Sequence, residues 1–329
     1  MKAIKFFAIT AMAAAMITSC SNEDELSQSN YPSDNIIRIT AGVNNAKTRA
    51  EGAAGTPLKN PLSLTVVNKN APKYTYVNQV FTKDENEVWK CSETLLWQKD
   101  TQPVDIVAFA PAQEGKFSGV YANEKFNAVT YSIAADQSTK NDNNDLLYYY
   151  APGFVPKDKL ENQKLNIEMN HAFCMIDIVV TLGTEFNVDG IPTTSPITEV
   201  TLGGTKITAD VNVTAATNKI TASSTAVATD ITATKGDFET PADNDKEKSC
   251  ISHFSCITVP QYVVENTFKV TLKTADKLYE WTSAGLVQLK SGYRYTLELS
   301  MGNNVVLLKG EKITASPWGN GEGGSLETD

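Results

Sequence analysis

The sequence alternates between apolar and polar residues with a period of two over much of its length, from residue 36 onwards. The clearest example is Tyr293–Ser300 (YRYTLELS), which is apolar at every odd position and polar at every even one. Because successive side chains of a β-strand point to opposite faces, this pattern predicts a strand with one face in the core and one in solvent. The same alternation occurs at residues 37–43, 62–66, 174–182 and 268–272. Long helical periodicity is absent from the sequence, so we predict an all-β protein.

Clusters of Gly, Pro, Asn and Asp separate these segments at short intervals, which favours antiparallel sandwiches over a parallel sheet with helical crossovers. A chain of 329 residues exceeds what one compact core usually holds. Pro152, Gly153, Pro156 and the charged stretch 157–164 interrupt two well-patterned regions. We therefore predict two β-sandwich domains in tandem, at residues 36–160 and 161–329.

The amino terminus has the features of an export signal. Lys2 and Lys5 precede an apolar run of roughly a dozen residues, which is too short to span a bilayer. The small residues before Cys20 suit a signal peptidase, and the whole arrangement resembles the lipobox of bacterial lipoproteins. We expect residues 1–19 to be cleaved and Cys20 to carry the lipid, with an ordinary signal and a free cysteine as the alternative. Residues 20–35 form an acidic tether, and its run Ser21–Glu25 resembles the surface-export tag of some Gram-negative anaerobes, so we expect an outer-membrane, cell-surface location.

The charge and the remaining cysteines limit the partners. A net charge of −9 argues against nucleic acid, which requires a basic surface. Four cysteines remain after Cys20, and in an oxidising compartment they allow three pairings. Cys250 and Cys256 are the closest pair and suit a small hairpin bridge, although two buried free thiols are equally consistent with the sequence.

No motif in the sequence indicates catalysis. His171 and His253 are the only histidines, so a histidine-rich metal site cannot form, and the spacing of His253 with its neighbouring cysteines fits no common zinc signature. The chain lacks a Gly-x-Ser-x-Gly elbow, and no carboxylate pair stands out among its 38 acidic residues. The oxygen-rich segment Asp142–Asp145 lacks the glycine and glutamate of a calcium loop. We expect that the protein is not an enzyme, that it binds no metal, and that it carries no cofactor beyond the covalent lipid on Cys20.

Several segments together are similar to the fimbrillin family, the subunits of the type V pili of Gram-negative anaerobes. These segments are VDIVAFAP (104–111), residues 131–148, NHAFCMIDIVV (170–180), LKSGYRYTLEL (289–299) and ITASPW (313–318). The resemblance covers nearly the whole mature chain and implies two transthyretin-like β-sandwich domains. It also implies that His171, in the segment that opens a core strand, has a structural role.

The family resemblance further implies maturation by an arginine-specific surface protease that removes the first strand, so that another subunit can insert a donor strand. Arg38 and Arg294 lie inside predicted strands, which leaves Arg49, in a polar and glycine-containing stretch, as the processing site before Ala50. Residues 36–49 would then be the removable strand and loop. The core-facing side chains of this strand would be Ile37, Ile39, Ala41 and Val43.

Two questions stay open from the sequence. The segment 305–313 and the glycine-rich tail through Asp329 could be a donor strand for the next subunit, or an ordinary final strand, in which case the chain would be a tip subunit. An alternative function is a surface glycan-binding lipoprotein that does not polymerise, with Trp89, Trp97 or Trp281 as a stacking platform. We expect a shaft or tip subunit of a pilus, with other fimbrillin subunits and host or bacterial surface glycans or proteins as partners.

Overall fold

The computed structural model describes residues 30–44, 56–217, 219–309, 313–318 and 324–325. Within these ranges the chain is nearly all β, which confirms the predicted fold class. The exceptions are one α-helix, α1 (Pro156–Lys159), and three short 3-10 helices, at Pro72–Tyr74, Asp142–Asn144 and Thr184–Asn187. No helix in the described part of the chain is long and apolar enough to cross a membrane.

The strands are short and follow one another closely. The first eleven are β1 (Ile39–Val43), β2 (Thr56–Pro57), β3 (Leu62–Val67), β4 (Tyr76–Lys83), β5 (Trp89–Cys91), β6 (Val104–Ala110), β7 (Tyr121–Ala122), β8 (Lys125–Phe126), β9 (Val129–Ser132), β10 (Leu147–Phe154) and β11 (Leu165–His171). The others are β12 (Cys174–Leu182), β13 (Glu199–Gly203), β14 (Thr208–Val211), β15 (Ile220–Ala222), β16 (Ile231–Thr232), β17 (Thr234–Glu239), β18 (Ile251–Thr258), β19 (Gln261–Val263), β20 (Lys269–Lys273), β21 (Leu278–Thr282), β22 (Val287–Leu289), β23 (Tyr293–Met301), β24 (Val306–Leu308), β25 (Thr314–Pro317) and β26 (Gly324–Ser325).

Two large sheets organise the molecule. The first has eight strands in the order β2-β1-β11-β10-β6-β3-β4-β5. The second has seven, in the order β17-β18-β12-β23-β25-β26 with β24 also on β23. Smaller sheets, β16-β13-β20-β21, β15-β14-β9, β19-β22 and β7-β8, complete the described fold.

The predicted alternation is visible in the central strands of the second sheet. Along β12 every second side chain from Cys174 to Leu182 is buried, and the side chains between them are only partly buried. In β23 the buried side chains are Tyr295, Leu297, Leu299 and Met301. One face of each strand therefore packs into the core, as the period of two requires.

The buried residues form two clusters that meet at β6. The first core extends from Ile37 to Met169 and includes Ile106, Ala108 and Ala110 on one face of β6. The second core takes Val107 and Phe109 from the other face of the same strand. Since both faces of β6 are covered, this strand is apolar almost throughout, which explains why VDIVAFAP does not alternate.

The predicted boundary after residue 160 does not separate the two cores. Leu165, Ile167 and Met169 of β11 belong to the first core, because β11 pairs with β1 and β10. In the other direction, β9 pairs with β14 and contributes Tyr131 to the second core. The chain thus crosses between the cores more than once, and a tandem of two transthyretin-like sandwiches remains a prediction.

The sequence pattern predicts antiparallel sheets, but two of the strand pairs in the structure are parallel. β1 pairs parallel with β11, and β12 pairs parallel with β23. Each pair joins strands more than 100 residues apart, so the intervening strands serve as the crossover that a parallel pair requires.

Candidate functional site

The first strand, β1, is bound strongly on one edge and weakly on the other. Its five residues pair with β11, from Ile39 opposite Leu165 to Val43 opposite Met169. On its other edge only two residues pair with β2. Further main-chain hydrogen bonds hold the residues just before β1, from Ile37 N to Leu95 O at 2.8 Å and from Leu165 N to Arg38 O at 2.8 Å.

The four side chains predicted to face the core contribute unequally. Ile37 and Ile39 are each 4% exposed and belong to the first core. Ala41 and Val43 are partly buried and pack against it. At about 1.5–3 kcal/mol per fully buried aliphatic side chain, the two isoleucines contribute roughly 3–6 kcal/mol. Removing β1 would leave a groove beside β11 lined by the residues that now contact these isoleucines.

Two of the three arginines lie on paired backbone. Arg38 donates two hydrogen bonds to the Asp34 carboxylate, at 2.9 and 2.5 Å, and this bonding lowers the pKa of Asp34 to about 2. Arg294 lies in β23, between β12 and β25, and its guanidinium binds both carboxylate oxygens of Asp177. Cys20, Arg49 and Ala50 lie outside the described residues, with Arg49 and Ala50 in the sequence between β1 and β2.

The last strands belong to the fold of their own chain. β25 pairs with four residues of β23, from Tyr293 opposite Pro317 to Thr296 opposite Thr314. Val306, Ile313 and Ala315 are buried in the second core. The described part of the suggested donor segment is therefore paired with β23 and packed in the second core of its own chain.

Two stacked rings join the residue that follows β25 to the end of β11. The Trp318 ring stacks on the His171 ring with centroids 3.9 Å apart and planes inclined by 4°. The Nδ1 atom of His171 lies 2.8 Å from Asp145 Oδ1, and Trp318 N donates to Gly292 O at 2.7 Å. The prediction that His171 is structural agrees with this packing. The sequence segments that contain Asp145, His171 and Trp318 carry no signal that these three residues would meet.

Comparison with known proteins identifies the family. The sequence profile described as fimbrillin-like matches residues 48–318, which is most of the chain. The chain belongs to the fimbrillin-like family. It is accordingly a structural protein rather than an enzyme, a pilus or adhesin subunit that assembles with other fimbrial subunits at the cell surface. A search of curated protein sequences found no match.

Solved structures share the fold of this fimbrillin at low sequence identity. A candidate cell adhesion protein from Bacteroides ovatus superposes with a TM-score of 0.60 at 16% identity, covering 86% of this chain and 97% of its own. One from Bacteroides uniformis gives 0.56 at 16% identity, covering 87% and 99%. The tip fimbrial protein Mfa3 from Porphyromonas gingivalis, with a C-terminal truncation, gives 0.51 at 9% identity, covering 86% and 99%. At these identities the likeness shows a common fold only.

The suggested Cys250–Cys256 disulfide is absent from the fimbrillin, and the hairpin expected there is wrong. Cys256 lies within β18 and Cys250 immediately precedes that strand. Six residues of extended chain separate the two Cα atoms by roughly 20 Å, whereas a disulfide requires about 7 Å or less. All four described cysteines are free thiols. Burial raises the pKa of the Cys250 thiol, and burial together with Asp177 raises that of Cys256 to about 12.

The tryptophans do not form a shared stacking platform in the described fold. Trp97 is 2% exposed and stacks on Phe154 inside the first core, so it cannot contact a glycan. Trp281 is partly buried, with its ring edge-on to Phe268. Trp89 is also partly buried and lies under the ammonium group of Lys83. Core packing thus accounts for the residues that the glycan-binding alternative required.

The oxygen- and nitrogen-rich segments are used within the fold. His253 Nε2 lies 3.0 Å from Glu239 Oε1, away from both neighbouring thiols along the strand. Asn141 caps the 3-10 helix at Asp142–Asn144 by accepting a hydrogen bond from Asn143 N. Within the described ranges, no group of three or more His, Cys, Asp or Glu side chains is placed to hold a metal ion.

Proposed function

We propose that this fimbrillin is a lipid-delivered pilus subunit whose first strand is a removable plug, and that it accepts a donor strand from another subunit after cleavage at Arg49. The placement of β1 supports the proposal. It pairs with β11 along its whole length and has only a two-residue partner on its other edge. Ile39 within the strand and Ile37 just before it are both buried in the first core. The chain between β1 and β2 contains Arg49, so a cut there would separate the plug from the remainder of the protein.

Cleavage would change how firmly β1 is held. The two isoleucines contribute roughly 3–6 kcal/mol, and each ladder hydrogen bond adds about 0.5–1.5 kcal/mol. In the uncut chain these terms act within one molecule. After the cut they must offset an association cost of about 4–15 kcal/mol for two separate molecules. The cut segment is then bound weakly enough for a better-fitting strand to replace it.

The groove left by β1 would suit a strand of the same pattern. Main-chain groups along the edge of β11 would lose their partners. Leu165 N now donates to Arg38 O, and Met169 O now accepts from Asn44 N. Apolar side chains two positions apart would fill the places of Ile37 and Ile39. An incoming strand therefore gains ladder hydrogen bonds and two side-chain pockets that set its register.

The packing of the carboxyl-terminal strands supports a terminal position in the pilus. β25 shares a ladder with β23, its side chains enter the second core, and Trp318 stacks on His171. A strand held in this way is a poor donor, so the subunit would accept a strand without giving one. This is the behaviour of a tip subunit, and the likeness to a protein described as a tip fimbrial protein is consistent with it.

The lipid would then be a delivery device. Cys20 would carry the precursor to the outer membrane and the cell surface, with β1 filling the groove during export. Cleavage after Arg49 would release the lipid together with residues 20–49. The mature subunit would be held at the surface only by its neighbours in the fimbrium.

The test is assembly in the presence of an arginine-specific protease and a second fimbrial subunit that supplies a donor strand. Arg49→Lys keeps the charge and length of the side chain but removes the cleavage site, and Arg38→Lys is the matched control within the paired segment. We expect the native protein and Arg38→Lys to be trimmed to Ala50 and to form the complex, while Arg49→Lys stays intact and monomeric. Normal assembly of Arg49→Lys would overturn the mechanism.

A further inference from the structure

A pocket on the second core has a composition that contrasts with the rest of this acidic protein. It lies between β15 and the two-stranded sheet β19-β22, with a volume of about 400 Å³. This is within the usual range of small-molecule sites, about 300–1,000 Å³. Lys206 and Lys290 line it, and no Asp or Glu does. In a chain of net charge −9, such a pocket is a local site of positive charge.

The backbone that carries the two lysines is fixed by hydrogen bonds. The Gln261 side chain accepts from Lys206 N at 2.9 Å and donates to Lys206 O at 3.1 Å. Lys290 N donates to the buried Tyr295 hydroxyl at 2.7 Å. The Lys206 ammonium donates to Ser223 O, and among the described residues neither lysine forms a salt bridge with a carboxylate. The lysine main chains are thus ordered before any ligand arrives, and their charges remain available to it.

An exposed aromatic ring forms one wall of the pocket. Tyr262 is 66% exposed and lies directly opposite Gln288 in the β19-β22 ladder. The Gln288 Nε2 group donates to the Tyr262 hydroxyl at 2.6 Å. This bond leaves the phenol proton free to donate to a ligand and holds the ring beside the lysines. Such an amphipathic ring offers an apolar face together with a polar edge.

We propose that this pocket binds a carboxylate-bearing sugar residue, as a free monosaccharide or at the end of a surface glycan. Lys206 and Lys290 bind the carboxylate, Tyr262 packs against the apolar face of the sugar ring, and the phenol and Gln288 hydrogen-bond its hydroxyls. This function goes beyond strand exchange and does not depend on it.

The test uses the uncut Arg49→Lys protein, so that a failure of processing cannot affect the result. Saturation-transfer NMR and calorimetric titration would compare glucuronate and N-acetylneuraminate with neutral glucose and with acetate. We expect both acidic sugars to bind at least about tenfold more tightly than glucose or acetate, and to weaken as salt is raised. Equal binding of acetate would refute the sugar contacts, and equal binding of glucose would refute the lysine contacts.

Variants locate the binding. Lys206→Gln, Lys290→Gln and Tyr262→Ala should each weaken glucuronate binding by about threefold or more, because each removes one direct contact. Lys164→Gln removes the same charge from an exposed lysine that does not line the pocket and should leave binding unchanged. Thermal unfolding of all four variants should stay close to that of the parent. Retained affinity in both lysine variants, or no binding of either acidic sugar, would overturn the proposal.

Discussion

Replacing Ile39 by alanine tests whether β1 is held by its buried side chains. Ile39 is 4% exposed in the first core, and removing a buried isoleucine to alanine usually costs about 2–5 kcal/mol. Thr40, the next residue, is exposed, and its side chain forms one hydrogen bond, to Asn166 Oδ1 at 3.1 Å. Thr40→Ala should therefore cost no more than about 1 kcal/mol.

The same difference should govern retention of the strand after cleavage. Since about 1.4 kcal/mol corresponds to a factor of ten, a loss of 2 kcal/mol would weaken retention of residues 20–49 by roughly 30-fold. The Ile39→Ala segment should leave the cut protein much faster than the native one. The Thr40→Ala segment should leave within about fivefold of the native rate.

The measurement has two stages. Urea unfolding of the uncut proteins gives the free energy of unfolding, and size-exclusion chromatography with mass spectrometry after cleavage gives the fraction of residues 20–49 that stays bound. Equal costs for Ile39→Ala and Thr40→Ala would refute the claim that burial holds β1. A cut segment that remains bound equally in both variants would refute the claim that it is exchangeable.

Two further predictions concern the carboxyl-terminal strand and the thiols. Trp318→Ala removes the stack on His171, which contributes about 0.5–1.5 kcal/mol beyond the lost burial. Amide exchange in β25 and β26 should therefore become faster. Unchanged exchange would mean that the stack does not hold these strands. Burial raises the pKa of Cys174, Cys250 and Cys256, so these thiols should resist alkylation at pH 8 until the protein is unfolded. The neutral thiol is favoured in the folded state, so stability should be full below about pH 9 and fall as the pH rises toward 12, less steeply in Cys256→Ala. An equally steep fall in that variant would contradict the assignment.

The strands themselves could be predicted because burial of alternate side chains is a local property of the sequence. Residues 174–182 and 293–300 alternate in the sequence and alternate in burial. The partners of the strands could not be predicted, because pairing depends on residues far apart in the chain. β1 pairs with β11 more than 100 residues away, and nothing in either segment specifies the other.

The side-chain sites divide in the same way. Ile37 and Ile39 could be assigned to the core from their spacing, but the same spacing did not show that Val43 is only partly buried. The Cys250–Cys256 disulfide was a wrong expectation because residues 251–256 form continuous strand, whereas the spacing of six residues alone suits a hairpin equally well. The meeting of Asp145, His171 and Trp318 depends on three separate segments and had no local signal.

The central claim is that β1 leaves the protein when the subunit enters a fimbrium. Amino-terminal sequencing of the protein recovered from assembled fimbriae on the cell surface tests this directly. We expect a free amino terminus at Ala50, with residues 20–49 absent. A blocked amino terminus at Cys20 in assembled material would contradict the account, because the plug and its lipid would still be attached.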